Sequence, residues 1–408
     1  MDLDLGRAGD LGRAGDLSRA VDLSRAVDLV AAAVADGPLP GAVGAVGRGG
    51  VTLATWVYGQ ADATPGATRP MRAATVFDLA SLTKIVATTT SVLALAGQRR
   101  LGLDDPVTTY LPAFTAGAQG PVTIRHLLTH ASGLPAIRTF HQWCATRDEV
   151  LDDLMATPLE APPGTRVAYS DLGFMLLGET VAAVTGEPFD VAVGQLVIGP
   201  LGLRSMAFNP DGPPGRFAAT ELRPGGTPWV GVVHDENARA MGGVAGHAGL
   251  FADVQDLAAF ATWWVGDADG PVPVPLRRQA ESGWTDGLGG QRGLGWTRAG
   301  DRHDILGDRW PATAVSHTGF TGTSLALDSP SGVWVVLLTN GVHAGRDASA
   351  IKALRRDLHT AVAAALLTWP ADSGRPCPGW PTGASAAGLP GAGPGRSGGG
   401  RRRRHTGR

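Results

Sequence analysis

The sequence predicts an α/β protein of the α+β kind, in which an antiparallel sheet is flanked by terminal helices and carries an inserted α-rich lobe. Two paired runs of β-type sequence stand far apart, "GAVGAVGRGGVTLATWVYG" from Gly41 and "GTSLALDSPSGVWVVLLTNG" from Gly322. Helical patterns lie outside both pairs, and the segment from about 100 to 255 is helical and loop-rich. A sheet built from both ends of the chain would leave a cleft beside the lobe, where ligands commonly bind.

The composition is that of an ordinary globular protein. The chain has 408 residues, of which 43% are hydrophobic, and a formal net charge of −2. This balance argues against nucleic acid or an anionic membrane as a partner, since both require a basic face. No apolar run is long enough to predict a transmembrane span, and the N-terminus lacks the basic start and apolar run of a signal peptide, so we expect a cytoplasmic protein. Cys144 and Cys377 lie too far apart in the sequence to predict a disulfide framework or a Cys-based zinc site.

The N-terminal part, residues 1–28, is a hexapeptide-repeat extension, "DLGRAG DLGRAG DLSRAV DLSRAV". A six-residue step advances a helix by about 600°, so successive leucines cannot form one apolar stripe. We predict a low-complexity extension to a helix that starts near Asp22 or Asp28 and stops before Gly37. The main domain is predicted at 29–369. The Gly/Pro/Arg-rich tail at 370–408 is predicted to be disordered.

Each β-type pair predicts a hairpin. The first turns at Arg48-Gly49-Gly50 and the second at "SPSG". The continuous apolar run from Val333 to Leu338 is typical of a strand that is buried on both faces. A long C-terminal helix is predicted after it, because apolar residues recur with helical spacing at positions 351, 354, 358, 361, 362, 365 and 366.

The stretch "FDLASLTKIVATTTSVLALAG" predicts a buried apolar helix from Ser81 to Ala96. The 35 basic side chains of the sequence include two lysines, which leaves 33 arginines, and one of the two is Lys84. Residues three apart on a helix are neighbours, so Ser81 and Lys84 can meet. Burial would lower the pKa of the lysine so that, unlike arginine, it could accept a proton from the serine. The alternative is that the spacing arose by chance.

A second stretch, "PPGTRVAYSDLGFMLLGE", places Tyr169 and Asp171 before an apolar helical run. A phenol can relay a proton, and the carboxylate can hold a lysine amine. The alternative is a helix cap formed by Ser170 or Asp171, with Tyr169 packed in the core.

The third stretch is "VSHTGFTGTSLALD", a strand edge rich in small residues. Small side chains let a substrate backbone approach, and a free N–H on such an edge can donate to an oxyanion. The alternative interpretation of Gly319 and Gly322 is a bulge or a turn.

Together the three stretches resemble the motifs of the serine β-lactamase and penicillin-binding-protein superfamily, which are Ser-x-x-Lys, Tyr-x-Asn and Lys-Thr-Gly or His-Thr-Gly. Surrounding phrases such as "VTIRHLLTHASGLP" and "VHDENARAMGGVAGHAGLFADVQDLAAF" are similar to its class C-like branch, which includes esterases and D-amino-acid or cell-wall-peptide hydrolases. The resemblance spans about residues 29–368 and implies a β-lactamase-like fold. The matching residues are Ser81-x-x-Lys84, Tyr169-x-Asp171 and His317-Thr318-Gly319.

The resemblance also implies a mechanism, in which a serine hydrolase without a cofactor opens an amide or ester through an acyl-serine. The implied roles are Ser81 as nucleophile, Lys84 as base, Tyr169 sharing proton transfer, the backbone N–H groups of Ser81 and Phe320 as oxyanion hole, and Asp171, His317, Thr318 and Gly319 at the substrate. No metal is predicted, since His234, Asp235, Glu236 and His247 lack a metal-binding spacing.

Two departures from the family pattern leave alternatives open. Asp171 replaces the usual Asn and adds a negative charge beside Lys84, so the working base is Lys84 or Tyr169. His317 stands where a lysine often binds a substrate carboxylate. We predict an esterase or a peptidase/amidase acting on D-amino-acid or cell-wall-derived peptides. The alternatives are a β-lactamase and a penicillin-binding sensor that does not turn over. The expected partner is a small-molecule or peptide substrate, with no nucleic acid and no membrane.

Overall fold

The computed structural model describes residues 22–115 and 120–367. Most of the N-terminal repeat and all of the predicted tail at 370–408 therefore lie outside the described residues. The α-helices are α1 (Ser24–Ala35), α2 (Thr90–Gly97), α3 (Ile124–Leu128), α4 (Arg147–Met155), α5 (Asp171–Thr185), α6 (Phe189–Val193), α7 (Gly199–Leu201), α8 (Glu236–Ala240), α9 (Val254–Val265), α10 (Val274–Glu281) and α11 (Ser349–Leu366).

The strands are β1 (Gly41–Arg48), β2 (Val51–Asp62), β3 (Arg69–Pro70), β4 (Phe77–Asp78), β5 (Ala207–Phe208), β6 (Ala219–Leu222), β7 (Pro228–Val230), β8 (Leu250–Ala252), β9 (Thr297–Arg298), β10 (Val315–Thr318), β11 (Ser324–Asp328) and β12 (Val333–Thr339). Seven of them form one antiparallel sheet in the order β3-β2-β1-β12-β11-β10-β9. Both predicted hairpins are present as β1–β2 and β11–β12, and β12 is buried along its whole length as expected. The predicted fold class is confirmed.

Strand β1 joins the two ends of the chain, because it pairs with β2 on one side and with β12 on the other. Its sequence "GAVGAVG" has glycine at every third position, and the indole rings of Trp56 and Trp334 occupy the space where side chains at Gly44 and Gly47 would lie. The glycines therefore let two large aromatic side chains lie flat against the strand.

The sheet is covered on both faces. On one face the terminal helices α1 and α11 pack over the outward residues of the central strands, with Val30, Val335 and Leu358 all fully buried. On the other face a larger core reaches through α9 into the helical part of the chain, where Phe260 and Trp264 are fully buried. The predicted flanking of the sheet by terminal helices is thus observed.

The predicted apolar helix runs from Ala80 to Gly97, and 83% of it is buried. It is long and apolar enough to cross a membrane by length and composition, but here it is a core helix. It begins as a tight turn over Ala80–Leu82 and widens to a π-helix over Lys84–Thr89 before α2. The Thr90 hydroxyl donates to the carbonyl of Ile85, five residues earlier, at 2.8 Å, which is consistent with the wider turn. Such widened turns are frequent at functional sites.

Candidate active site

Ser81 lies in the first turn of the core helix, three residues after the last residue of strand β4. The preceding residue, Ala80, has a φ of +46°, a left-handed conformation that costs a residue with a side chain on the order of 1–3 kcal/mol. The Asp78 carboxylate holds this bend, accepting from the backbone N–H of Ala80 at 2.8 Å and from that of His234 at 2.7 Å. The bend places the serine at the cleft although the residues around it are buried.

Lys84 is buried with no exposed surface and has three polar partners. Its Nζ donates to Ser81 Oγ at 2.9 Å and to the carbonyl oxygen of His247 at 2.9 Å, and it pairs with Asp171 Oδ1 at 2.8 Å. The predicted contact between the serine and the lysine is therefore present. The ammonium group thus has two hydrogen-bond acceptors and one ion-pair partner.

The protonation state of Lys84 differs from the sequence expectation. Burial lowers the pKa of Lys84, but the Asp171 carboxylate and the Tyr169 hydroxyl together outweigh burial and raise it above its ordinary value. The expectation that burial would leave a neutral amine is wrong, because a carboxylate 2.8 Å away supplies the missing counter-charge. In the resting state Lys84 is an ammonium that donates to Ser81 Oγ and has no lone pair to accept its proton.

Tyr169 lies directly beside this ammonium. Lys84 Nζ is 5.2 Å from the centre of the phenol ring, and the guanidinium carbon of Arg292 is 5.9 Å from it. The ring also packs on the imidazole of His130, with centroids 4.5 Å apart. The Ser170 hydroxyl accepts from the N–H of Gly173 at 3.3 Å and so caps α5, as the alternative interpretation of this stretch expected. The cap leaves Tyr169 free to line the cleft.

Phe320 lies in the turn between β10 and β11, and this turn is tied to the strand that leads into Ser81. The hydroxyls of Thr321 and Thr323 donate to the carbonyls of Asp78 and Leu79 at 2.7 and 3.0 Å. Gly319 has to be glycine, since a side chain there would collide with Leu79 and Thr323. These contacts hold the backbone at Phe320 in the cleft that Ser81 also lines, as the predicted oxyanion hole requires. In the described part of the chain, the Phe320 N–H donates to no other group.

His317 on β10 is 3% exposed and lines the same cleft, together with Thr318 and Gly319. Its Nδ1 donates to the carbonyl oxygen of Thr318 at 3.0 Å, which leaves Nε2 as an acceptor. Burial, with the nearby charges of Lys84 and Arg292, lowers the pKa of His317 to about 3. At neutral pH this side chain therefore accepts a hydrogen bond and carries no charge with which to bind a carboxylate.

The neutral state of His317 predicts a pH dependence of stability. Between about pH 6.5 and pH 3 the unfolded histidine binds a proton that the folded one does not, so the free energy of unfolding falls as the pH is lowered. We expect His317→Gln to remove this contribution, worth about 1.4 kcal/mol for each pH unit below about 6.5. Denaturant titrations of both proteins at pH 7, 6 and 5 measure it. Parallel stability curves for the two proteins would contradict the expectation.

The cleft is a cavity of about 280 Å³. Besides Ser81 and Tyr169 it is lined by three cationic side chains, those of Arg292, Lys352 and Arg355. Lys352 is exposed, and no carboxylate in the described ranges lies within ion-pairing distance of it. No carboxylate lines the cavity itself within the same ranges. The cleft therefore favours a substrate that carries a negative charge.

Arg355 is the buried member of this cationic set. Its guanidinium donates to the carbonyls of Gly319 and Thr323 at 3.0 and 2.7 Å, which braces the turn that carries Phe320. Burial lowers the pKa of Arg355 to about 10. The positive charge that it adds to the cleft is thus carried on a fixed side chain.

Several of these residues were not found from the sequence. Lys352 and Arg355 lie one helical turn apart at the start of α11, and Arg292 comes from the loop before β9. His130 also lies at the site, because its ring contacts Tyr169. His247 contributes its backbone carbonyl while its ring pairs with Asp235 at 2.8 Å. Within residues 22–115 and 120–367, no group of His, Cys, Asp and Glu side chains is arranged to hold a metal ion.

A serine beside a buried lysine, a tyrosine and free backbone N–H donors is the arrangement of a serine hydrolase that works through an acyl-enzyme. The sequence profile of the Beta-lactamase family matches residues 26–360, and the chain belongs to this family. It is 32% identical over 343 residues to an N-acetylmuramyl-L-alanine amidase of Bacillus subtilis (strain 168), covering 74% of this chain and 78% of that protein. It is 33% identical over 311 residues to a putative D-alanyl-D-alanine carboxypeptidase of Escherichia coli (strain K12), covering 67% and 71%.

The fold also matches solved structures. The structure of EstCE1, a hydrolase with promiscuous acyltransferase activity, superimposes with a TM-score of 0.67 at 25% identity and covers 83% of this chain and 99% of that one. A class C β-lactamase from Rhodobacter sphaeroides superimposes with a TM-score of 0.66 at 22% identity, over 83% and 99% of the two chains. The predicted superfamily and the predicted serine-hydrolase class are therefore confirmed, and the protein is a serine hydrolase.

Proposed function

We propose that this enzyme hydrolyses amide bonds in small D-amino-acid or cell-wall-derived peptides that carry a free carboxylate. The observation that carries the proposal is the position of the Ser81–Lys84 pair in a cleft lined by cations, with Lys352 unpaired among the described residues. A peptide with a terminal carboxylate complements such a lining, and a neutral ester does not. The names of the amidase and carboxypeptidase relatives support the same substrate class.

In the proposed reaction Ser81 Oγ attacks the carbonyl carbon of the scissile amide. The base is Tyr169, because Lys84 is already protonated and donates to the serine oxygen. The ammonium of Lys84 favours the phenolate of Tyr169 and the developing alkoxide. The N–H groups of Ser81 and Phe320 hold the oxyanion of the tetrahedral intermediate.

Breakdown of the intermediate releases the amine. The proton taken from Ser81 is delivered from Tyr169 to the leaving nitrogen as the C–N bond breaks, which leaves an acyl-Ser81 ester. A water molecule then gives a proton to Tyr169 and attacks the ester. The same proton returns to Ser81 Oγ when the acid product leaves, so the resting state is restored.

The proposal is tested with a pair of peptides that differ only at the terminus, an N-acylated D-alanyl-D-alanine with a free carboxylate and its C-terminal amide. We expect a lower KM for the free acid. We expect Lys352→Gln to raise this KM about fivefold to tenfold, with kcat little changed, and to leave the KM for the amide unchanged. Steady-state kinetics on both peptides measure these values.

Arg356→Gln is the matched control for Lys352→Gln, because it removes a charge from the same helix where Arg356 pairs with Asp308 and is 57% exposed. We expect it to leave both KM values unchanged. Equal KM values for acid and amide in the wild type would contradict the proposal. So would a preference for p-nitrophenyl esters or nitrocefin over peptides, which would indicate an esterase or a β-lactamase. A stable acyl adduct without turnover, seen by intact mass, would indicate a sensor.

A further inference from the structure

We propose that Arg292, held by Asp301, is a positioning residue that favours the phenolate form of Tyr169 and so prepares this tyrosine to take the Ser81 proton. The inference rests on the proposed function, in which Tyr169 is the base. Arg292 belongs to none of the three sequence motifs, and it comes to the site from the segment "GGQRGLGW", more than 120 residues after the tyrosine.

The guanidinium of Arg292 is fixed in place. Its Nη1 donates to the hydroxyl of Thr297 at 2.6 Å, and its Nη2 pairs with Asp301 Oδ1 at 3.1 Å. The side chains of Arg292 and Asp301 are 2% and 1% exposed, so the pair is shielded from solvent. The Nε of Arg292 has no hydrogen-bond partner in the described ranges. The guanidinium carbon is 5.9 Å from the centre of the Tyr169 ring.

The partner of the guanidinium is itself anchored by the backbone. Asp301 Oδ1 also accepts from the N–H of His303 at 2.8 Å, and its Oδ2 accepts from the N–H of Gln291 at 2.8 Å. The Asp301 carboxylate therefore accepts from two backbone N–H groups and pairs with Arg292. The carboxylate thereby fixes the guanidinium at the cleft wall.

The charges around Tyr169 show why Arg292 matters. Burial lowers the pKa of each of three neighbouring histidines, so they are neutral at pH 7, and Lys84 is compensated by Asp171 at 2.8 Å. Arg292 is thus one of two cations near the ring in the described structure. The titratable and charged groups that face the ring are Lys84, His130, Asp171, Arg292, His303 and His317.

A cation at this distance favours the anionic form of the half-buried Tyr169 phenol. When Tyr169 takes a proton-transfer role it passes through a phenolate, whose charge costs free energy where the phenol is half-buried. Arg292 supplies a fixed positive charge that requires no rearrangement during the reaction. His317, which lines the same cleft, is neutral and cannot supply it.

The experiment is a pH titration of the protein labelled with [¹³Cζ]tyrosine, followed by NMR. The chain has three tyrosines, so the Tyr169 signal is the one that Tyr169→Phe removes. We expect this signal to titrate at higher pH in Arg292→Gln, by on the order of one pH unit, because the cation is lost. We expect it to titrate at lower pH in Asp301→Asn, because the anion is lost and the cation stays.

The opposite signs separate an electrostatic role from a structural one. General loosening of the site would shift the titration of the Tyr169 signal in the same direction in both single variants. That result, or an unchanged Tyr169 signal in both, would overturn the inference. Removing one member of a buried ion pair can destabilise the fold. If Arg292→Gln does not fold, the double variant Arg292→Gln/Asp301→Asn, compared with Asp301→Asn, isolates the effect of Arg292 without an unpaired buried charge.

The acid limb of kcat/KM for p-nitrophenyl acetate gives a second readout. We expect the acid limb to shift to higher pH in Arg292→Gln and to lower pH in Asp301→Asn, as the NMR signal does. We also expect Asp301→Asn to retain turnover. The NMR titration does not depend on turnover, so a failure of the proposed function leaves it interpretable. An inactive wild type whose Tyr169 signal shifts as expected would overturn the proposed function and keep the role of Arg292.

Discussion

Ser81→Ala is expected to abolish hydrolysis, with kcat reduced on the order of 10⁵-fold or more for every substrate that the wild type turns over. In the proposed mechanism the serine oxygen forms the covalent intermediate, and this oxygen accepts from Lys84 Nζ at 2.9 Å. Reaction with a fluorophosphonate followed by intact mass is the direct measurement. The wild type should gain one adduct, and the variant none.

Ser91→Ala is the matched control for this experiment. Ser91 lies on the same buried helix, in α2, and its hydroxyl is buried without a hydrogen-bond partner in the described ranges. We expect this variant to be labelled and to turn over substrate as the wild type does. Equal labelling of Ser81→Ala and wild type would show that Ser81 is not the nucleophile and would contradict the proposed mechanism.

Tyr169→Phe is expected to lower kcat by about 10²- to 10⁴-fold, the contribution typical of a positioned general base. The variant loses one hydroxyl and keeps the ring that packs on His130, so the melting temperature should change little. Single-turnover kinetics with p-nitrophenyl acetate separate the acylation step, in which the base acts, from deacylation.

Tyr58→Phe serves as the control, because it removes a phenol hydroxyl on β2, outside the residues that line the cleft. A Tyr169→Phe enzyme with nearly wild-type acylation would return the base role to Lys84. That outcome would also require Lys84 to lose its proton on substrate binding, against the effect of Asp171 in the free enzyme.

The parts of the fold and site that follow from local pattern were predictable. The hairpins show as paired apolar runs around a turn, and a serine and a lysine three residues apart meet on any helix. Such features depend on neighbours in sequence, whose geometry the backbone imposes. The strands β1–β2 and β11–β12 and the contact between Ser81 and Lys84 are of this kind.

The charge balance of the site was not predictable in the same way. The pKa of Lys84 depends on how close Asp171 comes, a distance fixed by the packing of α5 against the core helix. Arg292 and Arg355 are two of 33 arginines, and no local pattern distinguishes them from those on the surface. They reach the cleft because β9 lies at the sheet edge beside β10 and because α11 packs over the sheet with Arg355 against the turn between β10 and β11, and both placements are properties of the whole topology.

The central position of β12 has a consequence for biosynthesis. Ala42 of β1 pairs with Thr339 of β12, so almost 300 residues are made between the two halves of this contact. Until the ribosome has released β12, one edge of β1 has no partner, and strand edges left open in this way are sites of aggregation. Long sequence separation between contacting residues also slows folding. Ser81 is thus translated long before β12, and the sheet that supports its cleft can close only after β12 has been made.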